Sequence, residues 1–199
     1  LFELFMKMRH DFNEGRFERL DAESTSWIGR THAMAERYRQ QHAFSARQYG
    51  ANGIWGSNDG VDYFTQWYKR AYDEAAHIAR HFEILTPTPI RSWRLSADFD
   101  RKGQDLGWHE TDFDDRRWKS TDVCVDTWST MGLHNHLGTA WYRTKAKVPP
   151  GQRGRRTFLW LGLSDATTNV FVNGTPVSWR DHDGKMQEQF TGFCRPVSF

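Results

Sequence analysis

The stretch before residue 140 combines the kinds of side chain that can hold a sugar ring. It reads Leu-His-Asn-His-Leu-Gly over residues 133–138, and a tryptophan precedes it at position 128. Imidazole and amide groups hydrogen-bond to hydroxyls, while an indole packs on the apolar C–H face of a pyranose. The pattern predicts a ligand-binding site made of Trp128, His134, Asn135 and His136. A solvated loop whose histidines bind nothing is the alternative that the residues leave open.

Two other groups of residues have the spacing or the chemistry of metal ligands. His77 and His81 have the i, i+4 spacing of zinc-protease ligands, but the glutamate that follows the first histidine in that motif is absent. We interpret them as a pair on a helix surface and predict no metal there. His134 and His136 lack a third ligand at a sensible spacing. Five clustered carboxylates could hold a structural Ca²⁺, which prefers oxygen ligands, although their spacing is not diagnostic of a calcium site. They belong to Asp98, Asp100, Asp112, Asp114 and Asp115.

No catalytic motif is recognisable. The chain has no nucleophile elbow, phosphate-binding loop or dinucleotide fingerprint. Glycosidases need two carboxylic acids across the scissile bond, and no acid here is flanked by a familiar motif. The catalytic residues are therefore not predicted, and for a glycosidase parent we expect the acid/base pair upstream of Leu1.

The charge balance is close to neutral. Lys and Arg number 27 and Asp and Glu 25, a net charge of +2, so we expect neither nucleic acid nor a membrane as a partner. No apolar run approaches the roughly 20 residues of a membrane span. The first residues lack the features of a secretory signal, and the compartment is therefore not predicted.

The pattern of apolar residues changes from helical to alternating along the chain. Helices are predicted over residues 1–12, 24–49 and 58–85, with a glycine-rich loop at 50–60. Pro87 and Pro89 cannot continue a helix, which places a domain boundary at residues 86–89. The predicted strands are Ser92–Leu95, Lys119–Val125, Ala140–Val148, Arg156–Leu163, Thr168–Val172 and Thr175–Ser178. Asn173-Gly174 predicts a type I′ hairpin turn between the last two.

Three stretches of the second half together resemble a known domain. They are GWHETDFDDRRWKSTDV at 107–123, GTAWYRTKAKVP at 138–149 and LWLGLSDATTNVFVNGTPV at 159–177. In this order they resemble the galactose-binding-like jelly roll of sugar-processing enzymes. Glycoside hydrolase family 2 has it as its sugar-binding domain, and some β-galactosidases and sialate acetylesterases carry relatives.

The resemblance covers about residues 92–199 and implies the fold class. We expect an α+β chain, with a helical segment at 1–89 followed by an antiparallel β-sandwich at 90–199. Because the family continues with further strands, the jelly roll is expected to be incomplete at its C-terminus. The helical segment is expected to be the end of an upstream catalytic domain.

The same resemblance implies a function. We expect a fragment of a carbohydrate-active enzyme, a glycoside hydrolase, to which this chain supplies the accessory sugar-binding-type β-sandwich. The expected partners are an oligo- or polysaccharide and the rest of the parent enzyme. Two alternatives stay open, because a fold cannot choose among functions. They are a non-catalytic carbohydrate-binding module and a purely structural domain of a protein such as a carbohydrate esterase.

Two motif segments are predicted to be architectural. Trp141 and Tyr142 should point to opposite faces of one strand, since side chains alternate along it. Arg143 should lean on an aromatic ring or a carboxylate. Asp114 and Asp115 should form a turn in which carboxylates accept backbone N–H bonds.

Overall fold

The computed structural model describes residues 1–41, 58–86, 88–181 and 183–199. In these ranges the chain forms three helices followed by short strands, which confirms the α+β class. Contacts divide the chain into two compact units. The helical unit comprises Leu1–Ile84, Trp160–Ala166 and Thr191–Ser198, and the strand unit comprises Leu85–Leu159, Thr167–Phe190 and Phe199.

The helices are α1 (Phe2–Asn13), α2 (Leu20–Gln41) and α3 (Asn58–His81). Helix α2 begins before the predicted Ser24, because Asp21 and Glu23 supply the acidic first turn that favours a helix N-terminus. Its predicted continuation to residue 49, and the glycine-rich loop up to residue 57, lie outside the described residues. Residues 58–60 of that predicted loop belong to α3, which ends at His81 rather than at residue 85.

Apolar burial holds the helical unit together. Met8, Leu20, Tyr72 and Ala75 are almost completely buried. Each large side chain of this kind stabilises the fold by roughly 1.5–3 kcal/mol. Aromatic contacts surround them, at ring-centroid distances of 5.2 Å between Phe5 and Trp27 and 5.3 Å between Phe12 and Tyr72. In the described part of the chain, no helix has the length and apolar character needed to cross a bilayer.

Nine short strands follow the helices in the described residues. They are β1 (Ser92–Asp98), β2 (Lys119–Asp122), β3 (Thr139–Arg143), β4 (Trp160–Thr168), β5 (Val170–Val172), β6 (Thr175–Val177), β7 (Trp179–Arg180), β8 (Met186–Gln187) and β9 (Phe190–Ser198). The sheet orders are β2-β1-β3, β4-β9, β5-β6 and β7-β8. Pairing is antiparallel in the first, third and fourth of these sheets.

Each predicted strand overlaps an observed one, with shifted ends. The clearest shift is β3, which ends at Arg143 where the alternation predicted a strand to Val148. The predicted type I′ turn is confirmed, since Asn173 and Gly174 have φ angles of 51° and 81° between β5 and β6. The jelly-roll arrangement of the strands stays a prediction, as does the assignment of 1–89 and 90–199 to separate domains.

Candidate functional site

Strand β3 carries an aromatic side chain on each of its two faces, and we call the face of Trp141 inner and the face of Tyr142 outer. Tyr142 lies opposite Leu95 in β1, while Trp141 lies opposite Ser96. Because side chains alternate along a strand, the two aromatic residues point to opposite faces of the sheet. The prediction for this pair is confirmed.

The inner face carries a cluster of aromatic rings drawn from all three motif stretches. The Trp108 ring lies 5.0 Å from Trp118 and 6.2 Å from Trp141, both edge to face. Phe171, next to the Asn-Gly hairpin, stacks on Trp141 at 5.7 Å. Such contacts add roughly 0.5–1.5 kcal/mol each beyond area burial. Segments that are distant in sequence therefore meet at one core.

Asp98 anchors this cluster from the end of β1. Its carboxylate accepts hydrogen bonds from the backbone N–H groups of Lys102 and Gly103, both at 2.9 Å, and from the Trp141 indole at 3.0 Å. Burial by itself would raise the pKa of Asp98, but these hydrogen bonds outweigh it and lower the pKa below its ordinary value. A Cβ at Gly103 would lie 2.6 Å from Trp108 Cε3 and 2.8 Å from Asp98 Oδ2, so only glycine fits there.

Arg143 closes the same face. Its guanidinium lies 5.4 Å from the centroid of the Phe113 ring and donates to Asp115 at 3.2 Å. It also donates to the backbone carbonyls of Trp108 and Glu110. Arg143 therefore contacts both an aromatic ring and a carboxylate, as predicted, and its role is architectural.

The outer face carries four aromatic side chains in a continuous row. The Trp128 indole donates a 2.7 Å hydrogen bond to the Tyr142 hydroxyl. The Trp128 ring lies 5.1 Å from His136, and His136 lies 5.1 Å from Phe99. We call Tyr142, Trp128, His136 and Phe99 the aromatic row. Trp128 and His136 are half-buried, whereas Tyr142 is 39% exposed and Phe99 76%.

Hydrogen bonds fix the loop that presents Trp128. The backbone N–H of Leu133 donates to the Trp128 carbonyl at 2.7 Å. The Lys119 ammonium donates to the Met131 carbonyl at 2.6 Å, which ties the loop to β2. His136 Nε2 lies 3.1 Å from the Thr139 carbonyl at the start of β3. A carbonyl only accepts, so Nε2 donates and Nδ1 of the neutral ring is left as an acceptor.

The four residues predicted from sequence are only partly brought together. Trp128 and His136 are in contact, while His134 and Asn135 are exposed beside them, Asn135 with a φ of 57°. Sequence reasoning missed Tyr142 and Phe99 as members of the site. The alternation of Trp141 and Tyr142 could have revealed Tyr142, whereas Phe99 left no signal, because its contact with His136 is long-range.

The Tyr142 phenol is the group of the row whose pKa is shifted. Burial raises the pKa of Tyr142, and the hydrogen bond from Trp128 offsets part of this rise. The phenol therefore keeps its proton at neutral pH and can donate to a ligand while accepting from the indole. The row offers aromatic faces, a hydroxyl and an imidazole, and no carboxylate lies among its members.

Three of the five predicted calcium ligands, Asp98, Asp114 and Asp115, bond to other groups of the protein. Both oxygens of Asp98 accept protein hydrogen bonds. Asp114 pairs with Arg116, whose hydrogen bonds hold the pKa of the carboxyl at about 2. Asp115 pairs with Arg143. Over the described ranges, no group of three or more His, Cys, Asp or Glu side chains is placed to share a metal ion, and calcium stays a prediction.

Two further features belong to the helical unit. The rings of His77 and His81 stack at 4.2 Å, and His81 Nδ1 lies 2.9 Å from the His77 carbonyl, as a surface pair on α3. An open depression of about 570 Å³ lies beside α2 and α3. The charges at this depression pair with each other, Lys69 with Asp73 at 2.6 Å and Arg80 with Asp21 at 2.8 Å. We assign it no ligand.

Comparison with family models, with curated proteins and with solved structures finds no match to this chain. The aromatic row and the inner cluster that joins the three motif stretches are therefore the features that bear on function.

Proposed function

We propose that this chain supplies the accessory β-sandwich of a carbohydrate-active hydrolase, a galactose-binding-like jelly roll, and that the aromatic row is its glycan-contacting surface. The observation that carries the proposal is the row itself. Partly exposed rings with polar edges lie side by side on one face of β3.

The chemistry of the row suits a pyranose. Indole and phenol rings offer apolar faces for the C–H groups of the sugar. His136 Nδ1 accepts from a hydroxyl, and the Tyr142 hydroxyl donates to one. His134 and Asn135 lie exposed next to the row and add further hydrogen-bonding groups.

Two observations support the fold part of the proposal. The three motif stretches converge on the Trp108, Trp118 and Trp141 cluster, although they are far apart in sequence. The Asn-Gly hairpin has the predicted geometry. Contacts that join all three stretches are what one shared core requires.

The expected affinity is low. Each hydrogen bond to the ligand contributes on the order of 1 kcal/mol, and part of the row is open to water. We therefore expect a dissociation constant of roughly 0.1 to 1 mM for a single oligosaccharide. Such weak binding suits an accessory domain that works beside an active site.

The test is a glycan array followed by calorimetric titration of the best oligosaccharide. Trp128→Ala should weaken binding by roughly tenfold and His136→Ala by a few fold, since each removes part of the row. Trp179→Ala is the matched control. Trp179 is also half-buried, donates its indole N–H (to Gln189 at 3.1 Å) and lies 5.1 Å from another aromatic ring, Phe190, but it is not in the row.

The outcomes distinguish a glycan-contacting domain from a purely structural one. Loss of binding in Trp128→Ala and His136→Ala, with Trp179→Ala unchanged, supports the proposal. Unchanged binding in both row variants would place the glycan site elsewhere. Absence of glycan binding in the wild-type chain would favour a purely structural domain.

A further inference from the structure

One segment of the strand unit carries cations and no carboxylate. Residues 127–159 contain neither Asp nor Glu, although the whole chain has 25 of them. The same segment contributes Trp128, His136 and Tyr142 to the aromatic row. Three of the four members of the row therefore belong to a segment whose formal charges are all positive.

The cations of this segment are exposed, with one exception. Arg143 is partly buried and pairs with Asp115. The exposed ones form what we call the cationic turn: Lys145, Lys147, Arg153, Arg155 and Arg156. Among the described residues, no carboxylate forms an ion pair with Lys145, Lys147, Arg153 or Arg156.

The sequence explains why this segment stands clear of the sheet. Pro149 and Pro150 have no N–H to donate to a neighbouring strand. Gly151 and Gly154 have φ angles of 91° and 80°, and each would have nothing within 4 Å of an added Cβ. The turn is therefore open to solvent on the side of both glycines.

One cation of the turn is held in place. The Arg156 guanidinium lies 5.4 Å from the centroid of the Phe158 ring. A planar guanidinium stacked on a ring keeps its outward donors for a planar anion such as a carboxylate. This contact reduces the conformational entropy that Arg156 would lose on binding.

We infer that the cationic turn binds an acidic polysaccharide, whose repeating units carry carboxylate or sulfate groups. The inference rests on the proposed function, because it names the class of glycan that the aromatic row receives. A repeating anion matches several cations spread along one segment. The sequence pI of about 8.6 lies below the range typical of nucleic-acid-binding domains, which favours a glycan over nucleic acid.

The test uses two glycans with the same backbone, dextran and dextran sulfate, together with polygalacturonate as the carboxylated probe. We expect the wild-type chain to bind each acidic polymer at least about tenfold more tightly than dextran. Raising NaCl from about 50 to about 300 mM should weaken that binding, because exposed charges are screened.

A charge-neutral variant and a matched control locate the site. The variant combines Lys145→Gln, Lys147→Gln, Arg153→Gln and Arg156→Gln. It should bind polygalacturonate roughly tenfold more weakly than the wild type, because each of the four exposed charges makes a small contribution to binding. The control neutralises four exposed helical-unit cations for which the described part of the chain likewise shows no ion pair, Arg9, Arg19, Arg30 and Arg37. Both proteins have the same net charge, and the control should bind as the wild type does.

The outcomes distinguish this inference from the proposed function. Equal affinity for dextran and dextran sulfate, or no loss in the turn variant, would overturn the inference while leaving glycan contact at the row intact. Absence of binding to any glycan overturns both. Tighter binding of a single-stranded oligonucleotide or of anionic vesicles than of polygalacturonate would also overturn it. The salt titration of the wild type keeps the inference testable even if the variant does not fold, because binding that does not weaken with salt would overturn it.

Discussion

Trp141 and Tyr142, on the two faces of strand β3, differ in how completely the polar groups around them are hydrogen-bonded within the protein. On the inner face the Trp141 indole donates to the buried Asp98, and the half-buried ring contacts Trp108 and Phe171. On the outer face Tyr142, the next residue, is 39% exposed and its hydroxyl accepts from Trp128. The indole N–H of Trp141 and both carboxylate oxygens of Asp98 thus have partners within the protein. The outer face leaves aromatic surface and hydrogen-bonding groups open to solvent, which the proposed glycan contact requires.

The comparison predicts unequal effects from truncating two adjacent residues. Trp141→Ala should lower the free energy of unfolding by about 3 kcal/mol, because it opens the aromatic cluster and leaves buried Asp98 without one donor. Tyr142→Ala should cost less than about 1.5 kcal/mol, since much of that ring is already in water. Denaturant unfolding of both variants measures the difference. An equal or larger loss in Tyr142→Ala would mean that the outer face is also structural.

The inner face was largely predictable from sequence, for a local physical reason. Alternation along a strand depends only on backbone geometry, so the opposite placement of Trp141 and Tyr142 followed directly. The Asn173-Gly174 turn was equally predictable, because few residues tolerate positive φ at both central positions. A half-buried guanidinium needs a partner, so a contact of Arg143 with an aromatic ring or a carboxylate was expected. The structure shows both contacts.

The outer face was less predictable because it depends on contacts between distant segments. Phe99 follows β1 and reaches His136 across the fold. The predicted end of β3 at Val148 was also wrong, since the strand ends at Arg143. Lys145 and Lys147 continue the alternating pattern, yet no partner strand pairs with them among the described residues. Alternation shows which side chains share a face, but it does not show how far a neighbouring strand extends.

A second prediction uses pH to test the inner face. The folded-state pKa of Asp98 is lowered, so the folded protein binds this proton less readily than the unfolded chain does. The stability that Asp98 contributes is therefore fully present above its unfolded pKa of roughly 3.9 and is lost as pH falls through the folded value. The free energy of unfolding should differ most between wild type and Asp98→Asn near neutral pH. The difference should shrink as pH falls below about 4.

The control for this pH experiment is an exposed carboxylate. Asp112→Asn changes an exposed side chain in the same unit and should leave the unfolding free energy close to that of the wild type. A gap between wild type and Asp98→Asn that stays constant down to low pH would contradict the assigned role of the carboxylate.

The smallest expected effect, and the finest test of the outer face, comes from Tyr142→Phe. This change keeps the ring and removes only the oxygen that accepts the 2.7 Å hydrogen bond from the Trp128 indole. Stability should fall by less than about 1 kcal/mol, because the freed indole N–H can turn to water. Glycan affinity should fall by roughly two- to fivefold, since Trp128 loses its orientation and the ligand loses one donor. Titration of wild type, Tyr142→Phe and Trp128→Ala with one oligosaccharide should give affinities in that descending order. If Tyr142→Phe binds as tightly as the wild type, the Tyr142 hydroxyl does not contact the glycan. If it binds as weakly as Trp128→Ala, the hydrogen bond between Tyr142 and Trp128, rather than the ring surface, holds the row together.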